Sequence, residues 1–229
     1  MKIALIGYGK MGRIIEKLAA EKGDLVIAKI DERNAGELAG HLKEADVAID
    51  FSNAAAVRKN VEACLAAGVP LVEGTTGWNN EKDEIKKLVE ENEGAFVFGA
   101  NFSVGVNLFY RIADFAAGLF ARFEDYEAFI EEQHHSKKLD APSGTALKLK
   151  EIVSAHIGKE FSVAATRAGN IPGTHRVGFD GPADQILLEH FARSREGFAS
   201  GALLAARWIV GRKGFYEFTD VMDEVLKIK

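Results

Sequence analysis

Ile3-Ala4-Leu5-Ile6-Gly7-Tyr8-Gly9-Lys10-Met11-Gly12 is the stretch that decides the fold. Four apolar residues in a row suit a strand of a parallel sheet that is covered on both faces. The Gly-x-Gly-x-x-Gly that follows opens a helix over about Met11 to Lys22, with Ile14, Ile15 and Leu18 at core spacing. Each glycine has a separate task in such a loop: Gly7 allows the tight turn, Gly9 lets a pyrophosphate approach the backbone, and Gly12 lets helix and strand pack closely. The helix N-terminus offers free N–H groups and the positive end of its dipole to phosphates. Gly7, Tyr8, Gly9, Lys10, Met11 and Gly12 are therefore candidate dinucleotide contacts.

Outward from this loop the same rhythm continues. Leu25-Val26-Ile27-Ala28 predicts a second strand ending at Asp31, Val47-Ala48-Ile49 a third ending at Asp50-Phe51, Leu71-Val72-Glu73 a fourth and Ala95-Phe96-Val97-Phe98 a fifth. Helices are expected between them, over about 53–67 and 80–92. Alternation of this kind predicts an α/β, Rossmann-type doubly wound parallel sheet. Asp31 lies at the spacing where an acid binds the adenosine ribose hydroxyls, whereas the nearby Arg33 suits a 2′-phosphate. With two carboxylates, Asp31 and Glu32, against one guanidinium, the cofactor is NADH or NADPH, with NADH slightly favoured. Ligands of open parallel sheets sit beyond the carboxyl ends of strands. That places Gly74, Thr75 and Thr76 after the fourth strand, and Gly99, Ala100, Asn101 and Phe102 after the fifth, on the cofactor edge.

After Asn101 the pattern changes. An apolar helix over about Val104 to Ala121 is expected to lie between layers. Strands follow at Glu127 to His134, Ser162 to Ala168, His175 to Phe179 and Gln185 to His190, with helices at 143–155 and 198–211. They predict a second, smaller α+β domain on a mixed or antiparallel sheet. The final segment, a helix and tail ending in Phe215 to Leu226, is expected to return to the first domain. The domains are then 1–103 with 196–229, and 104–195.

Composition narrows the function. The 229 residues include 47% hydrophobic and 28% charged, enough for a substantial core, and the formal net charge of −5 argues against a general nucleic-acid or membrane-surface binder. With no apolar run near the length of a membrane span and no signal-peptide pattern, the expectation is a cytoplasmic protein. Cys64 is the single cysteine, so no intramolecular disulfide forms; its spacing with Val57, Val61 and Leu65 makes it a packing residue. His41, His156 and His190 belong to no motif and read as ordinary surface or core residues.

The richest chemistry lies in Glu131-Glu132-Gln133-His134-His135-Ser136-Lys137-Lys138-Leu139-Asp140-Ala141-Pro142-Ser143-Gly144-Thr145-Ala146-Leu147. Adjacent histidines in a strand point to opposite faces and chelate poorly, so no metal is expected. Pro142 suits the first turn of a helix, and Ser143-Gly144-Thr145 would bring N–H groups and two hydroxyls to its N-terminus. Ordinary capping by Asp140 or Ser143 would use the same residues. Lys137 and Lys138 add positive charge on an acidic chain, which favours a small carboxylate ligand; no interleaved aromatics point to nucleic acid.

The segment Glu131-x-x-His134-His135-x-x-Lys138-x-Asp140-Ala141-Pro142-Ser143-Gly144-Thr145-Ala146 resembles the signature of the dihydrodipicolinate reductase family. Gly74-Thr75-Thr76-Gly77, Asn101-Phe102-Ser103-Val104-Gly105-Val106-Asn107, Arg167-Ala168-Gly169 and Gly173-x-His175 resemble further family motifs in the right order, so the likeness spans nearly the whole chain. It implies an NAD(P)H-dependent reductase of lysine and diaminopimelate biosynthesis that converts 4-hydroxy-tetrahydrodipicolinate, a small dicarboxylate, to tetrahydrodipicolinate. His134 would be the proton donor and acceptor, Lys138 a second proton donor, and His135, Ser143, Gly144 and Thr145 the substrate carboxylate ligands. The family implies a homotetramer assembled through the second-domain sheet, so that residues 104–195 serve both substrate binding and oligomerisation. The chain departs from the pattern in a first loop one residue shorter, a short stretch from Asp31 to Asp50, and Arg33 one place late. Two rivals share the glycine loop: another dehydrogenase of small amino or hydroxy acids, and a non-catalytic NAD(P)H-sensing regulator. Neither has reason to carry both His134 and Lys138.

Overall fold

A computed structural model of the chain describes residues 1–227, which form two compact units, 1–104 with 195–227 and Gly105–Ser194. In the first unit, β1 (Lys2–Ile6) leads through the glycine loop into α1 (Lys10–Glu21) and β2 (Leu25–Ile30). A 3-10 turn (Ala35–Glu37) and the five-residue α2 (Leu38–Leu42) fill the short stretch before β3 (Val47–Asp50). Then come α3 (Val57–Ala67), β4 (Leu71–Glu73), α4 (Lys82–Glu91) and β5 (Ala95–Phe98).

The second unit comprises α5 (Val104–Phe120), β6 (Glu127–His134), α6 (Gly144–Ser154), β7 (Ser162–Arg167), β8 (Thr174–Asp180) and β9 (Gln185–Phe191). The chain then rejoins the first unit as α7 (Glu196–Ile209), β10 (Gly214–Glu217) and α8 (Phe218–Leu226).

The first sheet runs β10-β5-β4-β3-β1-β2 with every pair parallel. Its two faces bury separate apolar clusters. Ile3, Leu5, Ile49 and Val97 pack against Ile15 and Ala19 of α1, a row of alanines with Leu203 in α7, and Val221 and Met222 of α8. Ala4, Ile6, Ala48 and Leu71 pack on the other face against Leu42, Val61, Cys64, Ile85 and Val89 from α2, α3 and α4. Helices on both faces explain why the inner strands are continuously apolar. The expected doubly wound sheet is present, with one strand more than expected. Strand β10 falls in the terminal helix-and-tail segment, where no strand was expected, because four residues are too few to display alternation; its Phe215 stacks on Phe96 with ring centroids 5.1 Å apart.

The second sheet runs β7-β6-β8-β9 and is mixed: β6 and β7 are parallel, the other pairs antiparallel. The parallel pair follows from connectivity, since α6 provides the crossover that parallel strands require. Helices α5 and α6 cover one face, burying Phe109, Ala113, Ala117, Leu149 and Val153 on Ala128, Ile130, Val177 and Phe179. Helix α5 was expected to be enclosed between layers. Instead, one stripe is buried and the opposite one, Leu108, Ile112, Phe115 and Leu119, is exposed, with Phe115 at 69%. Overall apolarity alone could not show that only one side finds a partner. Among the described residues no helix is long and apolar enough to cross a membrane.

Candidate active site

Strand alternation builds the polar centre of the second unit. In β6, every second residue faces the α5–α6 layer, and the series runs Ala128, Ile130, Glu132, His134: apolar at one end, titratable at the other. Across the sheet Glu132 is in register with His175, and His175 with His190, while His134 is opposite Arg167 on β7. Four strands therefore bring Glu132, His134, Arg167, His175 and His190 to the same end of the same face.

Glu132 organises them. Its carboxylate is fully buried, accepts from Arg167 Nη2 at 2.6 Å and from the Ser143 backbone N–H at 3.1 Å, and pairs with His134 Nδ1. Burial opposes its charge, but Arg167 and His134 outweigh that and hold the carboxyl below its ordinary range. Burial also lowers the His134 pKa, with Glu132 acting against the shift and Lys138 and Arg167 adding to it. With Nδ1 committed to Glu132, the other ring nitrogen, Nε2, is the one free for chemistry. It lies toward Gly173, where a Cβ would come within 3.1 Å of it; Gly173 has φ +144°, a conformation that also favours glycine. The His175 ring stands edge-on to His134, 5.0 Å away, and burial followed by the charge of His134 pushes its pKa down to about 4.

The other sequence-nominated residues lie nearby with differing freedom. Lys138 reaches Asp140, 2.7 Å from Oδ1, and this contact holds the Asp140 carboxyl below its ordinary range. His135 is half-buried just past the strand end, and its Nδ1 has no hydrogen-bond partner. Ser143 is buried, and its hydroxyl caps α6 by accepting from Ala146 N at 3.2 Å while contacting His175 Nε2 at 3.2 Å. Its oxygen is thus already engaged, and the helix N-terminus is left to exposed Gly144, which has open space above its Cα, and to Thr145, which is hydrogen-bonded to Tyr110. Pro142 sits before the cap, not in the first helical turn as expected, because α6 begins at Gly144.

Glu132, His134 and His175 each direct one ligand atom to within 4.8 Å of the others, a spacing that a metal ion could use. The chemistry of the set favours protons instead: the Arg167 guanidinium already neutralises Glu132, and would repel a second cation. His190 was dismissed in the sequence, yet its ring lies 6.4 Å from that of His175. Glu132, Arg167, His175 and His190 received no role from the residues themselves. Only the alternation in β6 pointed inward at Glu132.

In the first unit, Gly7 has φ +81°, and a Cβ there would lie 2.3 Å from the Phe51 carbonyl oxygen. At Gly74 a Cβ would strike the Phe51 ring, so both glycines are required by the approach of the β3 turn. Gly12 packs against the Gly7 carbonyl, whereas nothing lies within 4 Å of a Cβ at Gly9. Helix α1 begins after Gly9 with no side-chain cap. An open glycine in front of uncapped helical N–H groups fits a dinucleotide pyrophosphate. Beside it, Tyr8 is hydrogen-bonded to Glu16 and flanked by Lys29 and Arg13, whose charges lie 5.0 and 5.5 Å from the ring centre. Arg33 grips Asp31 through Nε and Nη2 and lowers its pKa. Asn101 turns its own loop by accepting from Ser103 N at 2.9 Å, and the Phe102 ring is buried against Phe218 and Phe51, leaving only its main chain for a ligand.

A glycine-loop nucleotide unit joined to a second unit carrying a buried proton-transfer network defines an NAD(P)H-dependent oxidoreductase. Residues 1–102 match the family model described as dihydrodipicolinate reductase, N-terminus, and residues 105–222 the one for its C-terminus, so the chain belongs to the dihydrodipicolinate reductase family. It is 36% identical to the 4-hydroxy-tetrahydrodipicolinate reductase of Christiangramia forsetii, over 99% of this chain and 100% of that one. The Methanocaldococcus jannaschii enzyme of the same name is 39% identical, over 95% of this chain and 80% of its own length. The fold is similar to that of a dipicolinate-bound dihydrodipicolinate reductase from Paenisporosarcina sp. TG-14, with a TM-score of 0.79 at 22% identity, covering 96% of this chain and 98% of that one.

Proposed function

We propose that the chain carries out its family's reaction, the NAD(P)H-dependent reduction of 4-hydroxy-tetrahydrodipicolinate to tetrahydrodipicolinate in lysine and diaminopimelate biosynthesis, with His134 as the proton donor. The observation that carries this is the buried pairing of His134 with Glu132, itself anchored by Arg167. The bound nucleotide supplies the hydride. Gly7 to Gly12 hold its pyrophosphate, Asp31 its adenosine ribose, and Gly74 to Thr76 with Gly99 to Phe102 line the rest of the sheet edge.

Glu132 keeps the His134 proton inventory in order: with Nδ1 fixed, Nε2 presents or takes the proton beside the reacting carbon. Lys138, released from Asp140, is a second donor. His135 and the N-terminus of α6 at Gly144 and Thr145 bind substrate carboxylate. Ser143 acts through that turn, because its own oxygen is engaged as the cap. The grip of Arg33 on Asp31 leaves part of the carboxylate's capacity for a ribose hydroxyl, which supports a slight preference for NADH.

The open face of the second sheet supports a homotetramer. Leu187 and Phe191 are exposed there, and Arg176 bridges Glu131 and Glu189 across three strands. A coupled assay tests the function: pyruvate and aspartate semialdehyde are condensed by a dihydrodipicolinate synthase, and oxidation of NADH and of NADPH is followed separately. Oxidation that needs both this protein and the condensation product supports the reductase. Binding of either nucleotide without oxidation rejects it in favour of a sensor.

A further inference from the structure

Asp50 and Glu73 end adjacent parallel strands in register with each other, and both are 0% exposed. Among the described residues, every group that acts on them is neutral or acidic. Asp50 accepts from Asn60 Nδ2 at 2.6 Å and from Ser52 N at 2.8 Å. Glu73 Oε1 accepts from Thr75 N at 2.7 Å, and Ser52 N also reaches Thr75 Oγ1 at 3.0 Å. The remaining oxygen, Glu73 Oε2, is buried and finds no donor among the described residues. From α3, the titratable group facing the pair is the Cys64 thiol, which burial and then the two acids push well up, so that it stays neutral.

Two adjacent buried carboxylates without a cation cannot both be charged. A proton on Glu73 Oε2 solves both difficulties at once: it removes one charge and turns the orphaned oxygen into a donor to Asp50. Burial, and then the negative charge of Asp50, push the Glu73 pKa well above its ordinary value in the same direction. The pair matters because of what rests on it. Its acceptors fix the Ser52 and Thr75 turns, the two backbone segments that carry the β3 and β4 loops at the sheet edge.

We propose that Glu73 is a neutral acid hydrogen-bonded to Asp50, and that this acid–carboxylate pair is a positioning device for the nucleotide-binding loops after β3 and β4. The proposal rests on the nucleotide reading of that edge. Loss of the Glu73 proton places two like charges under the loops and disorganises the Ser52 and Thr75 turns, so dinucleotide affinity falls in alkali while the proton chemistry in the second unit is untouched.

The test is the dissociation constant of NADH and of NADPH, from nicotinamide fluorescence, in the full-length protein from neutral to alkaline pH. For the wild type, Kd is expected to rise by roughly tenfold per pH unit once Glu73 ionises. Glu73→Gln keeps a neutral donor against Asp50 and an acceptor for Thr75, and should flatten that rise. Glu73→Leu has neither, and should weaken binding at every pH. Infrared spectra of the wild type should show a protonated-carboxyl band at neutral pH that disappears in Glu73→Gln. It should also bleach in alkali together with nucleotide affinity, a readout that needs no variant to fold. Parallel pH profiles for wild type and Glu73→Gln, or no such band in the wild type, overturn the proposal. If the band is present but neither nucleotide binds at neutral pH, the nucleotide reading fails and the positioning role fails with it, while the protonated pair itself stands.

Discussion

Arg167 on β7 holds Glu132 on β6 through a 2.6 Å contact between guanidinium and carboxylate, and the same carboxylate holds His134. The link makes a residue in another strand responsible for the orientation of the His134 imidazole, the proposed proton donor. Arg167→Ala should leave Glu132 buried with its charge poorly compensated, costing on the order of 1–3 kcal/mol of stability and lowering kcat. Chemical denaturation and steady-state kinetics on the same preparation check both.

His134→Gln removes the proposed proton donor without emptying its space. The expected loss in kcat is about 10²–10⁴-fold, with little change in nucleotide KM. An unchanged kcat takes His134 out of the mechanism.

Burial lowers the His134 pKa, and a proton donor must be charged to act. In the free protein the charged fraction falls as pH rises through a value below the ordinary 6.5, so kcat/KM should decline over that range on the way up from acid. Glu132 opposes the lowering, so Glu132→Gln should move the decline to still lower pH. A pH–kcat/KM profile of each protein decides it; coincident profiles reject the Glu132 role.

His175 stays neutral in the folded protein down to about 4, whereas the unfolded chain titrates near 6.5. A depressed folded value contributes stability that is complete above 6.5 and is lost as pH falls toward 4. Replacing His175 by Asn should make urea stability less dependent on pH in that interval, as measured by midpoints at several acidic pH values.

Gly173→Ala introduces a methyl 3.1 Å from His134 Nε2 at a backbone φ of +144°. Both effects act where the proton is passed, so kcat should fall by about tenfold or more, with the secondary-structure spectrum retained. Wild-type turnover in this variant would show that Nε2 is not the transferring atom.

Most of the first unit was readable because its buried strands are unbroken apolar runs and its helices have a clear period, as in Ile3 to Ile6 and Ile15 to Ala19. Strand β10 was missed because Gly214 to Glu217 is short and gains its stability from Phe96 and Phe98, distant in sequence. At the polar centre, His134 and Lys138 stood out in one local segment. Arg167, His175 and His190 come from three other strands and meet His134 and Glu132 only through register, which no single stretch of sequence displays. The engagement of Ser143 by α6 and His175 was equally hidden, since cap and ligand roles call for the same residue type.

The return of the chain through α7, β10 and α8 has a consequence for biosynthesis. The alanine face of α7 and the edge strand β10 complete the core of a unit whose other strands precede the Gly105–Ser194 unit in the chain. Until residues beyond Arg195 are translated, Val97, Phe102 and their neighbours lack the cover of α7 and α8, although every residue of the Gly105–Ser194 unit is already made. The nascent protein should therefore mature from the middle outward, with the N-terminal half an obvious chaperone client until release. Truncations that remove α7, β10 and α8 would strike the glycine-loop unit, not the Gly105–Ser194 unit that directly precedes them in the chain.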